Sequence, residues 1–148
     1  MNKQELDNII TTLDTQPTKK TNGRRNKQAG NSFELNVAKD LHNAGFPNVI
    51  TTRLGSRLLD SQKIDLMNKD EHIHGRLPYN IQCKSLAKHA DYCKILAEMP
   101  ANTAEINVVI HRKTKKSPAG KFIKQGTYAI MNADDFYTMI AELETRKL

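Results

Sequence analysis

The sequence lacks the features that mark membrane, secreted or disulfide-stabilised proteins. It has no Trp, only 5% aromatic residues, and two cysteines, Cys83 and Cys93, in 148 residues. Two cysteines are too few for a disulfide framework, so we expect reduced thiols and a cytoplasmic location. No apolar run approaches the roughly 20 residues that span a bilayer. The polar residues 1–14 do not resemble a secretory signal, so neither export nor a membrane partner is expected.

The charge of the chain is strongly basic. Lys and Arg number 23 against 16 Asp and Glu, which gives a net charge of +7 and a pI of about 9.5. Such a charge suits a polyanionic partner, because each Lys or Arg that meets a phosphate releases condensed counterions. A positive field also raises the encounter rate with nucleic acid. The composition therefore favours nucleic acid over an anionic membrane, for which no basic amphipathic helix stands out.

An acid-free basic stretch covers residues 15–30. It contains proline, glycine and almost nothing apolar, so it cannot bury enough surface to fold alone. A short amphipathic helix is expected before it, over residues 1–13. We therefore predict an N-terminal helix and flexible basic arm over residues 1–30, followed by one domain over residues 31–148. The arm either contacts DNA phosphates or is a solvated spacer. Its basic residues are Lys19, Lys20, Arg24, Arg25 and Lys27.

Hydrophobic periodicity predicts alternating helices and strands in the domain. The expected elements are a helix capped by Asn31 or Ser32 and ending near Asn43, strands over 49–52, 64–67 and 79–84, a helix over 87–98, strands over 106–111 and 127–131, and a helix capped by Asn132. Loops are expected over 53–63 and 112–124, and the second of these is rich in lysine. The last helix should bury a stripe of Phe136, Met139, Ile140 and Leu143. A central mixed β-sheet flanked by helices, an α/β fold, is the economical packing.

Polar residues that could carry chemistry recur on two neighbouring strands. Because side chains alternate along a strand, Gln82 and Lys84 should share one face while Cys83 points to the core. Asp65 faces away from its two apolar neighbours in the preceding strand. If the strands pair, Asp65, Gln82 and Lys84 cluster on one polar patch. Glu34, in the first turn of its helix, could lie over that patch.

This set of residues suits phosphodiester hydrolysis with a hard cation such as Mg²⁺ or Mn²⁺. Mg²⁺ prefers oxygen ligands in near-octahedral geometry. Asp65 can supply the charged ligand, while Gln82 and Cys83 can each supply a carbonyl oxygen, the latter from its backbone. Glu34 can complete the outer shell or bind a second ion. Lys84 can orient or help to deprotonate the attacking water and stabilise the phosphate.

Several short motifs follow one another in a distinctive order along residues 30–92: Gly30, Phe33-Glu34, Gly45-Phe46, Asp65 and Gln82-Cys83-Lys84-Ser85. This order resembles the PD-(D/E)xK nucleases, and among them it is most similar to the archaeal-type Holliday junction resolvases. The resemblance implies a restriction-endonuclease-like core, Mg²⁺ dependence, homodimers and cutting of branched DNA. Glu34, Asp65 and Lys84 occupy the family's acid, acid and lysine positions. The expected function is that of a structure-selective DNA endonuclease in recombination or repair. A phage or mobile element could encode such a protein.

The sequence departs from the family pattern at Gln82, where Glu or Asp is usual, and so loses one charge. Asp60 could offer a replacement carboxylate. The 53–57 loop loosely resembles the Arg/Ser/Gly loop by which resolvases approach the scissile phosphate. The DNA contacts expected from this region are Arg53, Ser56, Arg57 and Lys63.

Other interpretations of the same residues remain open. Glu34 could be the capping-box partner of Asn31, and Asp65 could face solvent on an edge strand. The lysines of the 112–124 loop could follow a DNA arm or be solvated. As functions, a nuclease for nicked, flapped or site-specific duplex DNA is possible, as is a DNA-binding module that lost catalysis through Gln82. A structural protein of a larger assembly is the remaining alternative.

Overall fold

The fold is α/β, with a five-stranded mixed sheet flanked by helices. It is seen in a computed structural model that describes residues 19–101 and 103–147. The helix expected over residues 1–13 and the side chains of Lys19 and Lys20 lie outside the described part. The elements are α1 (Lys19–Asn43), β1 (Val49–Thr51), α2 (Thr52–Gly55), α3 (Arg57–Ser61), β2 (Leu66–Asn68), α4 (Glu71–His74), β3 (Tyr79–Leu86), α5 (Tyr92–Ala97), β4 (Ile106–Lys116), β5 (Phe122–Ile130) and α6 (Ala133–Arg146).

The strands follow one another across the sheet in the order β1-β2-β3-β4-β5. All neighbours are antiparallel except β3 and β4, which are parallel and are joined through α5. A parallel pair needs such a crossover because its strands start at the same end of the sheet. The predicted mixed α/β sheet is therefore confirmed.

The main core lies between α1 and the sheet. Phe33 and Val37 lie four residues apart on α1 and so share one face of the helix. They pack with Val49, Leu66 and Ile81 in one buried cluster. β4 contributes the partly buried Ile110 to this cluster, and its Val108 and Val109 are both buried, as its continuous apolar sequence predicts. This packing fixes α1, and with it Glu34, against β3.

The predicted start of the first helix at Asn31 or Ser32 is wrong, because α1 begins at Lys19 and has 25 residues. Residues 23–29, expected as part of a flexible arm, are helical and exposed. Arg, Lys, Gln and Ala have high helix propensity, and a solvated helix can extend beyond the segment that packs. Since Asn31 lies inside the helix, the capping-box interpretation of Glu34 is also wrong.

Both predicted loops contain regular structure. The 53–63 segment forms α2 and α3, and the Ser56 side chain caps α3 by accepting from the Leu59 amide at 3.3 Å. The 112–124 segment is mostly strand, because β4 extends to Lys116 and β5 begins at Phe122. Backbone hydrogen bonds between β4 and β5 form this lysine-rich hairpin, although its sequence lacks the alternation of apolar and polar residues that predicts a strand. The short helix α4 was not predicted, and the helix expected over 87–98 is confined to α5.

The last helix begins where it was predicted but packs differently. The Asn132 side chain accepts a hydrogen bond from the Asp134 amide at 2.9 Å, which confirms the cap. The expected burial of its stripe is wrong, since α6 has no buried residue. Phe136, Ile140 and Leu143 are 40–50% exposed. Periodicity shows which residues of a helix share a face, but it does not show whether a partner covers that face.

Candidate active site

Asp65 lies where β2 and β3 begin to separate. The strands pair at Leu66 and Ile81, and the Asp65 amide donates to the Ile81 carbonyl at 2.8 Å. At the next position along β3 the hydrogen bond comes from a side chain instead of the backbone, because Oδ2 of Asp65 accepts from the Cys83 amide at 2.6 Å. The alternative of an exposed edge strand is wrong, since β2 lies between β1 and β3. The carboxylate is thus fixed beside the backbone of β3.

Burial raises the pKa of the Asp65 carboxyl above its ordinary value of 3.8. The hydrogen bond from Cys83 and the positive charges of Lys84 and Arg53 oppose that rise, while the charge of Asp60 adds to it. Lys84 is therefore close enough for its ammonium group to stabilise the Asp65 carboxylate. The structure brings these two predicted site residues into one electrostatic cluster.

Glu34 reaches this cluster from α1. It is only 6% exposed, and its Oε1 lies 2.6 Å from Nη2 of Arg53 in an ion pair. Burial and then the nearby Asp65 carboxylate raise the pKa of Glu34, whereas Arg53 lowers it. Arg53, predicted only as a DNA contact, is thus the counter-ion of a buried carboxylate. The sequence gave no sign of this pair, because its members lie on different elements 19 residues apart.

Gln82 lies on β3 and is 4% exposed. The continuous pairing of β3 with β4 shows no irregularity at this residue, so its side chain points away from Ile81 and Cys83, which pack towards α1. The Asp65 carboxylate bonds the amide of Cys83, the residue that follows Gln82 on β3. The predicted alternation of β3 is therefore confirmed, with Cys83 facing the core. Burial, followed by the charges of Asp65 and Glu34, raises the pKa of the Cys83 thiol.

The Oε1 atom of Gln82 is buried and has no hydrogen-bond partner among the described residues. Leaving a buried acceptor unsatisfied costs about 1–3 kcal/mol, so such atoms are rare without a reason. A cation that accepts oxygen ligands would satisfy it. In a β-strand the N–H and C=O of one residue point the same way. The Cys83 carbonyl therefore also faces the gap in which its amide meets Asp65.

The predicted set is thus only partly gathered on one face. Lys84 and Gln82 project from one side of β3, whereas Glu34 approaches Asp65 from the side of α1. The Asp65 carboxylate is close to the charges of both Lys84 and Glu34. No cluster of three or more His, Cys, Asp or Glu side chains suited to a metal occurs within residues 19–101 and 103–147. The candidate ligands are instead a mixed set of carboxylate, amide and backbone oxygens.

Two features of this site were missed or only partly foreseen. Thr52 is fully buried, and its hydroxyl donates to the Ile64 carbonyl at 2.7 Å. Its amide donates to the Asp65 carbonyl at 2.9 Å, so α2 begins on the backbone that carries Asp65. Asp60, expected in a loop as a spare carboxylate, lies on α3, and its charge raises the pKa of both Glu34 and Asp65. Only the pattern of tertiary contacts could have revealed these neighbours.

Most of the predicted DNA contacts are exposed. Arg57 and Lys63 are exposed on and after α3, while the Ser56 hydroxyl oxygen is engaged in the α3 cap. Arg24, Arg25 and Lys27 are exposed along the first half of α1. They form a basic helical extension that lies on the element carrying Glu34.

Comparison with known proteins adds no relative to this picture. No helix within the described residues is long and apolar enough to cross a membrane. No family model, curated protein or solved structure matches the chain.

Proposed function

We propose that the chain is a metal-dependent, structure-selective DNA endonuclease of the PD-(D/E)xK class, with a restriction-endonuclease-like core. Within that class we propose a Holliday junction resolvase. The observation that carries the proposal is the half-buried Asp65 carboxylate, which bonds the amide of Cys83, the residue between the unsatisfied Gln82 and Lys84, and lies near Glu34. Such an enzyme would act in recombination or repair in the cytoplasm, and a phage or mobile element could encode it.

The oxygen atoms around Asp65 fit Mg²⁺ or Mn²⁺. Asp65, Gln82 Oε1 and the Cys83 carbonyl would hold the ion, with Glu34 in the outer shell or at a second ion. When bound, the cation would neutralise phosphate oxygens and lower the pKa of a water molecule. Lys84, whose charge already acts on the Asp65 carboxylate, would orient the attacking water and stabilise charge on the phosphate.

Basic side chains would hold the DNA on either side of this site. Arg57 and Lys63 lie beside Asp60, and three exposed basic residues extend along α1. Contacts of this kind position the duplex through phosphates without reading its sequence. We include Lys19 and Lys20 of α1, and Arg53 at the site itself, among these contacts.

The exposed surfaces of β5 and α6 support a homodimer. They carry large apolar side chains that are 40–66% exposed, and β5 is a nine-residue strand at the sheet edge. Long exposed edge strands need a cover. The acidic residues of α6, among them Asp134 and Asp135, complement the lysines of the β4–β5 hairpin, so two copies related by a two-fold axis would match in charge. A two-fold dimer also suits a four-way junction that needs two matched cuts.

A cleavage assay tests the proposal. Purified protein is mixed with a labelled four-way junction or the matching linear duplex, in Mg²⁺, Mn²⁺ or EDTA. Paired, metal-dependent nicks in the junction alone are expected, whereas cutting of both substrates would indicate a nuclease with broader substrates.

The Asp65→Asn variant is the sharpest control for this assay. Asparagine keeps an oxygen that can accept from the Cys83 amide but removes the charge, so the fold should survive. Cutting should be abolished while junction binding stays largely intact. Lys69 is exposed, so Lys69→Gln is a surface control that should cut like wild type. Wild-type cutting by Asp65→Asn would reject the assigned site.

A DNA-binding module that lost catalysis is the second candidate function. Gln82 brings no charge, and Arg53 already neutralises Glu34 at 2.6 Å, which leaves Asp65 as the remaining charged ligand of the predicted site. Junction binding without cutting in either metal would favour this module. A stable complex with a protein, without DNA affinity at moderate salt, would favour a structural role instead.

A further inference from the structure

Two leucines project into solvent beside the candidate active site. Leu54 on α2 is 78% exposed, and Leu58 on α3 is 67% exposed. Each follows an arginine in sequence, and the first of these, Arg53, is the ion-pair partner of Glu34. Leu54 also lines a groove of about 330 Å³ together with Leu35 of α1. We call these two exposed side chains, which are four residues apart on successive short helices, the leucine prong, and Leu54 is next to Arg53 of the site.

The leucine prong stands on a firmly anchored segment. Thr52 at its base is fully buried and bonded to the carbonyls of Ile64 and Asp65. Gly55 between the leucines packs so closely on the sheet that an added Cβ would lie 2.7 Å from the Met67 sulfur. Leu59 is buried and holds α3 to the same sheet. The exposure of the leucines is thus built into a fixed turn that connects directly to the Asp65 backbone.

The charges around the leucine prong favour nucleic acid as its partner. Arg57, next to Leu58, and Lys63, two residues after α3, are exposed, and Lys39 lines the same groove as Leu54. Asp60 is an acidic neighbour, and its charge acts on Glu34 and Asp65. Apolar side chains flanked by basic residues can enter a base step, because the base faces are apolar while the neighbouring phosphates are anionic. A protein partner would instead be expected to present acidic side chains with its apolar contact.

We propose that Leu54 and Leu58 contact unstacked bases at a DNA branch point and thereby select branched over linear DNA. This inference rests on the proposed nuclease or DNA-binding function and names the device that recognises its substrate. A continuous duplex keeps its bases stacked, and unstacking them carries a free-energy cost at every step. At a branch point stacking is already interrupted, so the leucine prong gains its contact at a lower cost.

The test uses a four-way junction with 2-aminopurine at the branch point and a linear duplex with the same label, in EDTA so that no cutting occurs. Wild type should raise the fluorescence of the junction, because 2-aminopurine brightens when it unstacks. The Leu54→Ala/Leu58→Ala variant should lose most of that rise. It should also lose about tenfold of its preference for the junction, as expected for lost contacts to bases. Its affinity for the duplex should be nearly unchanged.

Ile73→Ala is the matched control, since Ile73 is also 67% exposed but lies on α4. It should behave like wild type in both readouts. Thermal unfolding checks that the double variant is folded, and the two single variants replace it if it is not. Unchanged fluorescence or unchanged selectivity in the variant, with wild type binding the junction, would overturn the leucine prong alone. Absence of DNA binding by wild type would overturn the proposed function and this inference together.

Discussion

Replacing Gln82 with methionine should stabilise the chain in the absence of metal. The side chain is 4% exposed, and its Oε1 has no hydrogen-bond partner among the described residues. Methionine is unbranched, similar in length and adaptable in a core. Removing an unsatisfied acceptor should raise the free energy of unfolding by about 1–3 kcal/mol. For a chain of this length that corresponds to about 3–9 °C in Tm.

The assay is thermal unfolding followed by circular dichroism, in EDTA and in Mg²⁺. Wild type should gain stability in Mg²⁺, because a ligand that binds the native state raises its apparent stability. Gln82→Met should be more stable than wild type in EDTA but gain little from Mg²⁺. Gln82→Glu serves as the opposite control. It adds a charge at a buried position next to Cys83, so it should be less stable than wild type in EDTA and gain more from Mg²⁺.

Two results would refute this reasoning at different steps. If Gln82→Met is less stable than wild type in EDTA, the Oε1 atom has a favourable partner in the folded chain, and the argument for a ligand at Gln82 fails. If the variant is more stable but keeps the full Mg²⁺ response, the unsatisfied acceptor is real but does not hold the ion. The metal would then depend on Asp65 and the Cys83 carbonyl without the amide.

Three further predictions concern the fold and its titrating groups. Gly23→Ala, with open space in α1, should stabilise by about 0.5–1 kcal/mol in urea unfolding. Gly55→Ala should stabilise less than Gly23→Ala, because its Cβ would lie 2.7 Å from the flexible end of Met67, which must move; the opposite order would contradict the packing of α2. Because the pKa of Asp65 is raised in the folded chain, wild type should lose stability as the pH rises above 3.8 and the carboxyl deprotonates. Asp65→Asn has no such group, so in EDTA its stability relative to wild type should increase over the same range. A constant difference in unfolding free energy from about pH 3 to about pH 8 would argue against that burial. Mass spectrometry after brief alkylation should find Cys93 labelled and Cys83 spared, because burial raises the pKa of the Cys83 thiol while Cys93 is exposed; equal labelling would show that β3 opens readily.

Local rules predicted those elements whose causes are local. The apolar run of β4 indicated a buried strand, and alternation along β3 separated Gln82 and Lys84 from Cys83. Asn132 acts as the expected helix cap, because capping depends on one side chain and an amide two residues later. In each case the interaction that forms the structure is contained in a few consecutive residues, so the sequence pattern suffices.

Features that depend on distant contacts were missed. The Arg53–Glu34 ion pair joins α2 to α1, and no local pattern identifies the partner of a buried acid. The start of α1 at Lys19 was also missed, because the exposed first turns carry no apolar periodicity, although their basic residues have high helix propensity. The exposed stripe of α6 has the correct periodicity, but periodicity cannot show which surface covers it.

The arrangement of charges around Asp65 also bears on which carboxylate a first cation would reach. Glu34 already has a cation at 2.6 Å in Arg53, so a metal ion must displace that guanidinium before it can bind there directly. Asp65 has the Cys83 amide and the charges of Lys84 and Arg53, and burial still raises its pKa. Under the proposed function, a divalent cation would therefore meet no direct ion pair at Asp65 among the described residues, whereas it would meet one at Glu34. The unsatisfied Gln82 oxygen belongs to the residue before Cys83, whose amide bonds the same carboxylate. We accordingly expect the first ion at Asp65, with Glu34 remaining bound to Arg53 until DNA phosphate competes for the arginine.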